Sequence, residues 1–286
     1  MENSLVSVVI PTYNRAKVLK ETISSALRQT YDNFEIIVID DGSADNTESV
    51  VKNFKDKRVT YIKQSHKNAP TAKNKGILVS KGDYIAFLDS DDVWLPEKIE
   101  KQMKVFRNNK LNPSVVYCGI GYINEDGAEI KGIKLPAYRG NIFLKLLGTR
   151  RNVVLGAGST VLIKRECFER CGLFDENLSY RIDLDLLIRI SKVFAFDYVP
   201  EVLAKIRMHE KRMSSNVDNI LKGRELLFKK IYNDIKKHRK ILAKYYYQTA
   251  VLYFRKKDGA KGREYVMKSI RAFPLFRAIK AFWKHR

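Results

Sequence analysis

A chain of 286 residues, 45% of them hydrophobic, with 15 glycines and 7 prolines, has room for one large α/β domain and an appendage, which excludes a disordered or fibrous protein. Three cysteines, Cys118, Cys167 and Cys171, supply neither a disulfide framework nor a four-ligand zinc site, so they read as free thiols in a reducing compartment. The net charge of +22 is unevenly spread: Asp218 to Arg286 holds 20 Lys and Arg against 5 Asp and Glu, a basic surface that asks for a membrane surface, a nucleic acid or a phosphorylated ligand.

In chain order, LVSVVIP is a β-branched run closed by Pro11 and predicts a strand. AKVLKETISSALRQT carries Val18, Ile23, Ala26 and Leu27 at roughly helical spacing. FEIIVID is the continuous apolar run of a parallel strand covered on both faces, and Ser43 or Asp45 can cap the next helix, NTESVVKNF. Strand RVTYIKQ, helix APTAKNKGILVSK, strand DYIAFLD and helix LPEKIEKQMKVFRNN, opening near Pro96, complete four β-α units. Right-handed crossovers turn such units into a doubly wound, mostly parallel sheet. Then PSVVYCGIGYIN predicts a strand before a turn at EDG, NIFLKLLG a short helix, and GSTVLIKRE a strand entering a helix. DLDLLIRISKVF is helical, and FAFDYVPEVLAKIRMH supplies closing strand material. Beyond Asn216 the pattern is helical, with a break at Gly259–Gly262. The expected division is an α/β domain over 1–215 and a basic helical region over 216–286.

Ligands of open α/β sheets bind off the carboxyl ends of the strands, where this chain sets PTYNR, Asp40-Asp41 and Asp89-Ser90-Asp91-Asp92. No GxGxxG follows the first strand and no GxxxxGK[ST] occurs, which argues against a dinucleotide cofactor and a P-loop. An isolated D-x-D after a strand is often only a solvated turn or a helix cap. Its position in the fourth β-α unit, with Asp40-Asp41 after the second, favours a site. Carboxylates there can accept from a base or a ribose hydroxyl, and Asp89-x-Asp91 offers hard oxygens to Mg²⁺ or Mn²⁺ carrying a diphosphate.

VSVVIPTYNR, SSALRQTYDNFEIIVIDDGSADNT, AKNKGILVSKGDYIAFLDSDDVWLPEKIE and CGLFDENL followed by DLDLLIR together resemble the family 2 glycosyltransferases over about residues 4–215. The resemblance implies a GT-A fold and an inverting transfer from a nucleotide-sugar donor to a hydroxyl acceptor. It implies that Thr12 and Tyr13 line the base pocket, with Pro11 and Arg15 in the same loop. Asp41 would read the base with Asp40 beside it, and Lys73 and Ser90 would join the donor site. Asp91 would hold the metal with Asp89 on its ribose side and His209 near the diphosphate or metal; Asp183 would be the general base. Two departures stand out: Ile182 where many members have Glu, and Lys73 where Arg is usual, which keeps the charge but loses the bidentate fork.

Other readings of the same residues stay open at this level. Asp183 could serve only the N-terminus of its helix, with Asp185 as the neighbour to distinguish from it. Asp92 has no expected role beyond starting a helix, and Trp94 shapes either a pocket or the core. A sugar nucleotidyltransferase on a related sheet and an inactive nucleotide-sugar-binding scaffold are the rival functions. In the tail, Phe276, Ile279, Phe282 and Trp283 alternate with Arg277, Lys280, Lys284 and Arg286, a pattern that lies on an anionic membrane or packs internally. The apolar run before Pro11 is short for a signal sequence, and no stretch approaches the ~20 apolar residues of a span. The expected location is cytoplasmic, at the membrane face if the tail binds it, with a glycan or lipid-linked acceptor and no nucleic acid.

Overall fold

The structure, a computed structural model, describes residues 4–108, 110–148, 153–209 and 217–284. It divides into two compact units. The first comprises Met1–Phe143, Arg151–Glu176 and Asp183–Glu210, and the second Leu144–Arg150, Asn177–Ile182 and Lys211–Arg286.

The first unit opens with β1 (Val6–Thr12), α1 (Ala16–Leu27), β2 (Phe34–Asp40), α2 (Thr47–Lys52), β3 (Val59–Lys63), α3 (Ala69–Val79) and β4 (Tyr84–Phe87). These strands pair in parallel in the order β3-β2-β1-β4, the doubly wound arrangement that the four β-α units predict. Both faces are covered, which explains the unbroken apolar runs. Val6, Val8 and Ile10 pack on Leu19, Ile23 and Ala26 of α1, while Ile37 and Ile39 face Ala72 of α3. Gly76 lets α3 close on the sheet, since a Cβ there would lie 2.2 Å from Val9 Cγ1.

The second half of the sheet is mixed. It is built from β5 (Val93–Trp94), β6 (Val115–Ile123), β7 (Glu129–Lys134), β8 (Leu162–Lys164) and β9 (Phe196–Arg207). β8 runs antiparallel between β4 and β6, β9 lies parallel to β6, and β5 and β7 add antiparallel pairs. Helices α4 (Lys98–Arg107), α6 (Ala157–Thr160), α7 (Glu166–Cys171) and α8 (Ile182–Ser191) surround it; α5 (Phe143–Gly148) falls almost wholly in the second unit. The helix expected near Pro96 starts at Lys98, because the residues after the D-x-D first pair with β9 as β5.

The second unit holds α9 (Val217–Ile235), α10 (Arg239–Arg255), α11 (Gly259–Ala272) and α12 (Phe276–Lys284). Its centre is a buried cation. Arg224 donates to Thr249 Oγ1 (2.8 Å) and Tyr245 O (2.8 Å), and its guanidinium lies 3.8 Å over the Tyr245 ring. Burial pulls the Arg224 guanidinium down to about 10. The expected break at Gly259–Gly262 sits earlier, at Lys257, whose φ is +64°, and at the N-cap Asp258, which accepts from Lys261 N. Gly262 is inside α11, its missing side chain making room for the Phe254 ring. No helix among the described residues is long and apolar enough to cross a membrane.

Candidate active site

The crevice opens where β1 parts from β4. The β1–β4 register runs only from Val6 to Val9, and the last bond is Leu88 N to Val9 O at 3.1 Å. Pro11, two residues beyond Val9, turns its nitrogen to the side that β4 has left, so its missing N–H costs no ladder bond. This is the reversal point of strand order, where open sheets bind ligands.

The loops after β1 and β2 are laced together. Asn14, in left-handed conformation at φ +51°, donates its N–H to Ser43 Oγ (2.8 Å) and accepts from Ala44 N on its side-chain oxygen (2.8 Å). Asp45 takes Ala16 N at the start of α1 (3.0 Å) and Thr47 N at the start of α2 (3.1 Å). The N-cap position of α2 is Asn46, which makes no side-chain cap bond; Asp45, one residue earlier, supports both helix starts, while Ser43 holds the β1 loop. Arg15 N reaches Thr47 Oγ1 (3.3 Å), and its guanidinium lies 3.6 Å from Asp91 Oδ2.

Asp40 and Asp41 have different surroundings. Asp40 is fully buried, and its two oxygens accept from Ser43 N (2.8 Å) and from the Tyr61 hydroxyl (2.6 Å), so its carboxylate fixes the turn. Asp41 accepts from Gln64 Nε2 (2.7 Å) and Lys67 N (3.0 Å) and lies 3.0 Å from His66 Nδ1. The His66 ring stacks on Tyr13, centroids 4.1 Å apart. Thr12 is buried beside them, and its hydroxyl has no hydrogen-bond partner among the described residues.

At the other end, Asp91 Oδ2 meets His209 Nε2 at 2.8 Å, and Glu125 lies 3.6 Å from His209 Nδ1. No group of three metal-ligating side chains forms among the described residues. One carboxylate and one imidazole at hydrogen-bond distance still suit a divalent ion that takes its other ligands from phosphate oxygens and water. Asp89 points elsewhere: its Oδ1 lies 3.6 Å from Lys73 Nζ. Lys73, 3% exposed, donates to Asp183 Oδ1 at 2.9 Å. Burial disfavours its charged form, but Asp183 and then Asp89 outweigh that and raise the ammonium above its ordinary range. Asp183, with 32% of its side chain exposed near the start of α8, opens on the crevice beside this cation. Asp185 is buried and bound to Arg189, which separates the two acids.

Ser90 and Asp92 hold the frame. Ser90 is buried, and its carbonyl accepts from Thr22 Oγ1 (3.0 Å). Asp92 does more than start a helix: it takes Ser159 Oγ (2.6 Å) and Arg207 N (2.9 Å). Burial first, then Asp89 and Asp91, push its carboxyl well above the usual range. Trp94 belongs to the core, its indole N–H bound to Ser159 O (2.7 Å).

Sequence reasoning missed Gly158, Ser159 and Arg207. Ser159 Oγ accepts from Asp89 N (3.1 Å) while donating to Asp92, and Arg207 Nε donates to Asp91 O (2.8 Å). For Gly158 and Ser159 the run of small residues in GAGST was the signal; Arg207 had none. A Cβ on Gly158 would come 2.1 Å from Asp89 Oδ2, so only glycine leaves that carboxylate in place. Gly158→Ala is expected to keep the unfolding midpoint and to lower the activity of the site about 10–100-fold by displacing Asp89; wild-type activity would dismiss the role given to this oxygen.

The family model described as Glycosyl transferase family 2 matches residues 7–172. An uncharacterized glycosyltransferase of Rickettsia typhi is 33% identical over 261 residues, which is 89% of this chain and 81% of that protein. The Escherichia coli UDP-Glc:alpha-D-GlcNAc-diphosphoundecaprenol beta-1,3-glucosyltransferase WfaP is 32% identical over 247 residues, 85% of this chain and 92% of that protein. The chain belongs to glycosyltransferase family 2. Among solved structures, S. aureus TarS 1–349 in complex with UDP-GlcNAc shares the fold at a TM-score of 0.66 and 15% identity, covering 98% of this chain and 92% of that one. The mannosyltransferase PcManGT of Pyrobaculum calidifontis, in complex with GDP-Man and Mn²⁺, does so at 0.58 and 15%, covering 98% and 78%. These likenesses establish the GT-A architecture. Asp183 and His209 lie beyond the stretch matched by the family model.

Proposed function

We propose that this chain is an inverting hexosyltransferase that moves a sugar from a nucleotide-diphosphate donor to a hydroxyl of a lipid-linked glycan. The observation that carries this reading is the buried Lys73 cation joined to Asp183 at 2.9 Å and to Asp89 at 3.6 Å, at the carboxyl edge of the sheet. Lys73 takes Asp183 Oδ1 and leaves Oδ2 to accept the proton of an acceptor hydroxyl as it attacks the anomeric carbon. Attack opposite the departing nucleotide diphosphate inverts that carbon. The base and ribose fit beside Thr12, Tyr13 and Asp41, where the Thr12 hydroxyl lacks a partner among the described residues. Asp91 and His209 would hold Mg²⁺ or Mn²⁺, which when bound supplies positive charge against the leaving diphosphate. The Mn²⁺ of the mannosyltransferase complex and the diphosphoundecaprenol acceptor in the WfaP name support these two parts of the reading.

Turnover of a panel of nucleotide-sugars on polyprenyl-diphosphate glycans is the direct test; no transfer from any donor would refute the reading. Asp91→Ala is expected to weaken nucleoside-diphosphate affinity more than tenfold in Mn²⁺ and to leave metal-free affinity unchanged. Equal affinity for wild type and variant in Mn²⁺ would remove Asp91 from the metal site.

The second unit supports contact with an anionic bilayer. In α12, Phe276 is 80% exposed and Ile279 36% exposed, with Arg277 and Lys280 between and beyond them. Flotation with vesicles containing anionic phospholipid should carry the protein, and Phe276→Ser with Ile279→Ser should release it.

A further inference from the structure

We propose that His66 is a built-in surrogate for the donor's nucleobase, which the incoming base must displace, and that His66 thereby helps set base selectivity. The inference rests on the reading of Thr12, Tyr13 and Asp41 as the base pocket. Two of them, Tyr13 and Asp41, are the groups His66 occupies. One face of its ring lies on Tyr13 at 4.1 Å and 23°, the geometry of a stacked pair. Its Nδ1 is 2.9 Å from Asp41 O and 3.0 Å from Asp41 Oδ2. Both are acceptors, so Nδ1 carries the proton and donates to them. A flat ring stacked on the tyrosine, with an N–H aimed at the aspartate, is what a bound nucleobase would present.

The imidazole is also placed to leave. Its side chain is 53% exposed and Tyr13 is 45% exposed, so both edges of the stack face solvent. Asp41 does not lose its footing when His66 departs, because Gln64 Nε2 and Lys67 N hold Oδ1 at 2.7 and 3.0 Å. Lys67 N reaches Oδ2 at 3.2 Å, but the direction that His66 Nδ1 fills is then open to one further N–H. A base with a ring N–H beside a carbonyl, such as uracil or guanine, can replace that donor. Adenine and cytosine set a ring-nitrogen lone pair at the corresponding position, which repels the carboxylate, and can donate to it only through the neighbouring exocyclic amino group, from a shifted pose.

The test is calorimetric titration of UDP, GDP, ADP and CDP into the full chain and into His66→Ala, Tyr13→Ala and Asp41→Asn. His66→Ala removes the competitor and is expected to tighten UDP or GDP binding about five- to tenfold. ADP and CDP should stay weak in both proteins. In the wild type, the imidazole nitrogen resonances of His66 should shift when the tight diphosphate binds, as Nδ1 leaves Asp41. Unchanged or weaker binding by His66→Ala, with Tyr13→Ala still impairing it, would overturn the surrogate role and leave the base pocket standing. If neither Tyr13→Ala nor Asp41→Asn affects binding, the base pocket itself is wrong and the surrogate falls with it.

Discussion

Asp183→Asn is expected to leave donor affinity within about twofold of wild type and to lower kcat by about 10²–10⁴-fold. The amide is nearly isosteric and can still accept from Lys73 Nζ through its carbonyl oxygen, the bond that spans 2.9 Å in the native chain. What it loses is an oxygen able to take a proton. A structural acid at a helix start would respond differently: losing it would cost a few tenths of a kcal/mol of helix stability and nothing in turnover. Steady-state kinetics with a saturating donor separates the two. Near-normal kcat would move the base elsewhere, and Asp185 is a poor successor because it is buried and committed to Arg189.

Lys98→Met is expected to change stability rather than activity. Lys98 is fully buried, with Nζ bound to Gln102 Oε1 at 2.8 Å and lying 4.0 Å from the Trp94 ring centroid. Burial pulls its ammonium down from 10.5 to about 8. The unfolded chain therefore holds this proton up to about pH 10.5, whereas the native chain releases it near 8. Between those values the unfolded state binds more protons, so Lys98's contribution to stability rises with pH; below pH 8 the native state carries the full penalty, on the order of 3 kcal/mol. Methionine removes that penalty but leaves Gln102 Oε1 without its donor, at a cost of about 1–3 kcal/mol. A net gain of about 0–2 kcal/mol near pH 7 remains, and it should shrink from pH 8 upward. Cys118, pushed to about 11 by burial against the opposing pull of Lys98, acts in the opposite sense above pH 9 and is itself altered by the substitution, so the difference between the two proteins is followed below pH 9. Urea unfolding at several pH values measures it, and a difference that does not vary with pH would contradict the buried-charge account.

How far the sequence could be read depends on the range of the interactions involved. β1 to β4 were legible because covered parallel strands need unbroken apolar runs, and Pro11 and the acidic clusters mark where those runs stop. β5 was not, because Val93-Trp94 become a strand only by pairing with Lys205 and Ala204, more than a hundred residues away. The acidic residues were visible, but their division of labour was not. Asp40 reads like Asp41 in the sequence, and only its burial and its partners Ser43 and Tyr61 set it apart, while the ties of Asp92 to Ser159 and Arg207, beyond the helix start expected of it, needed the folded chain. Motif reasoning marked Lys73 for the charge it keeps. Its bond to Asp183, 110 positions away, needed the folded chain.

The lacing of the loops after β1 and β2 has a consequence for engineering. Asn14, Ser43, Asp45 and Thr47 each bond across from one loop to the other, so each loop takes part of its support from its neighbour. Transplanting one of them from a relative to exchange donor preference would break half of every cross-link and leave the grafted segment unsupported. The interchangeable part is the pair, moved together with the Gln64–Lys67 segment that clasps Asp41.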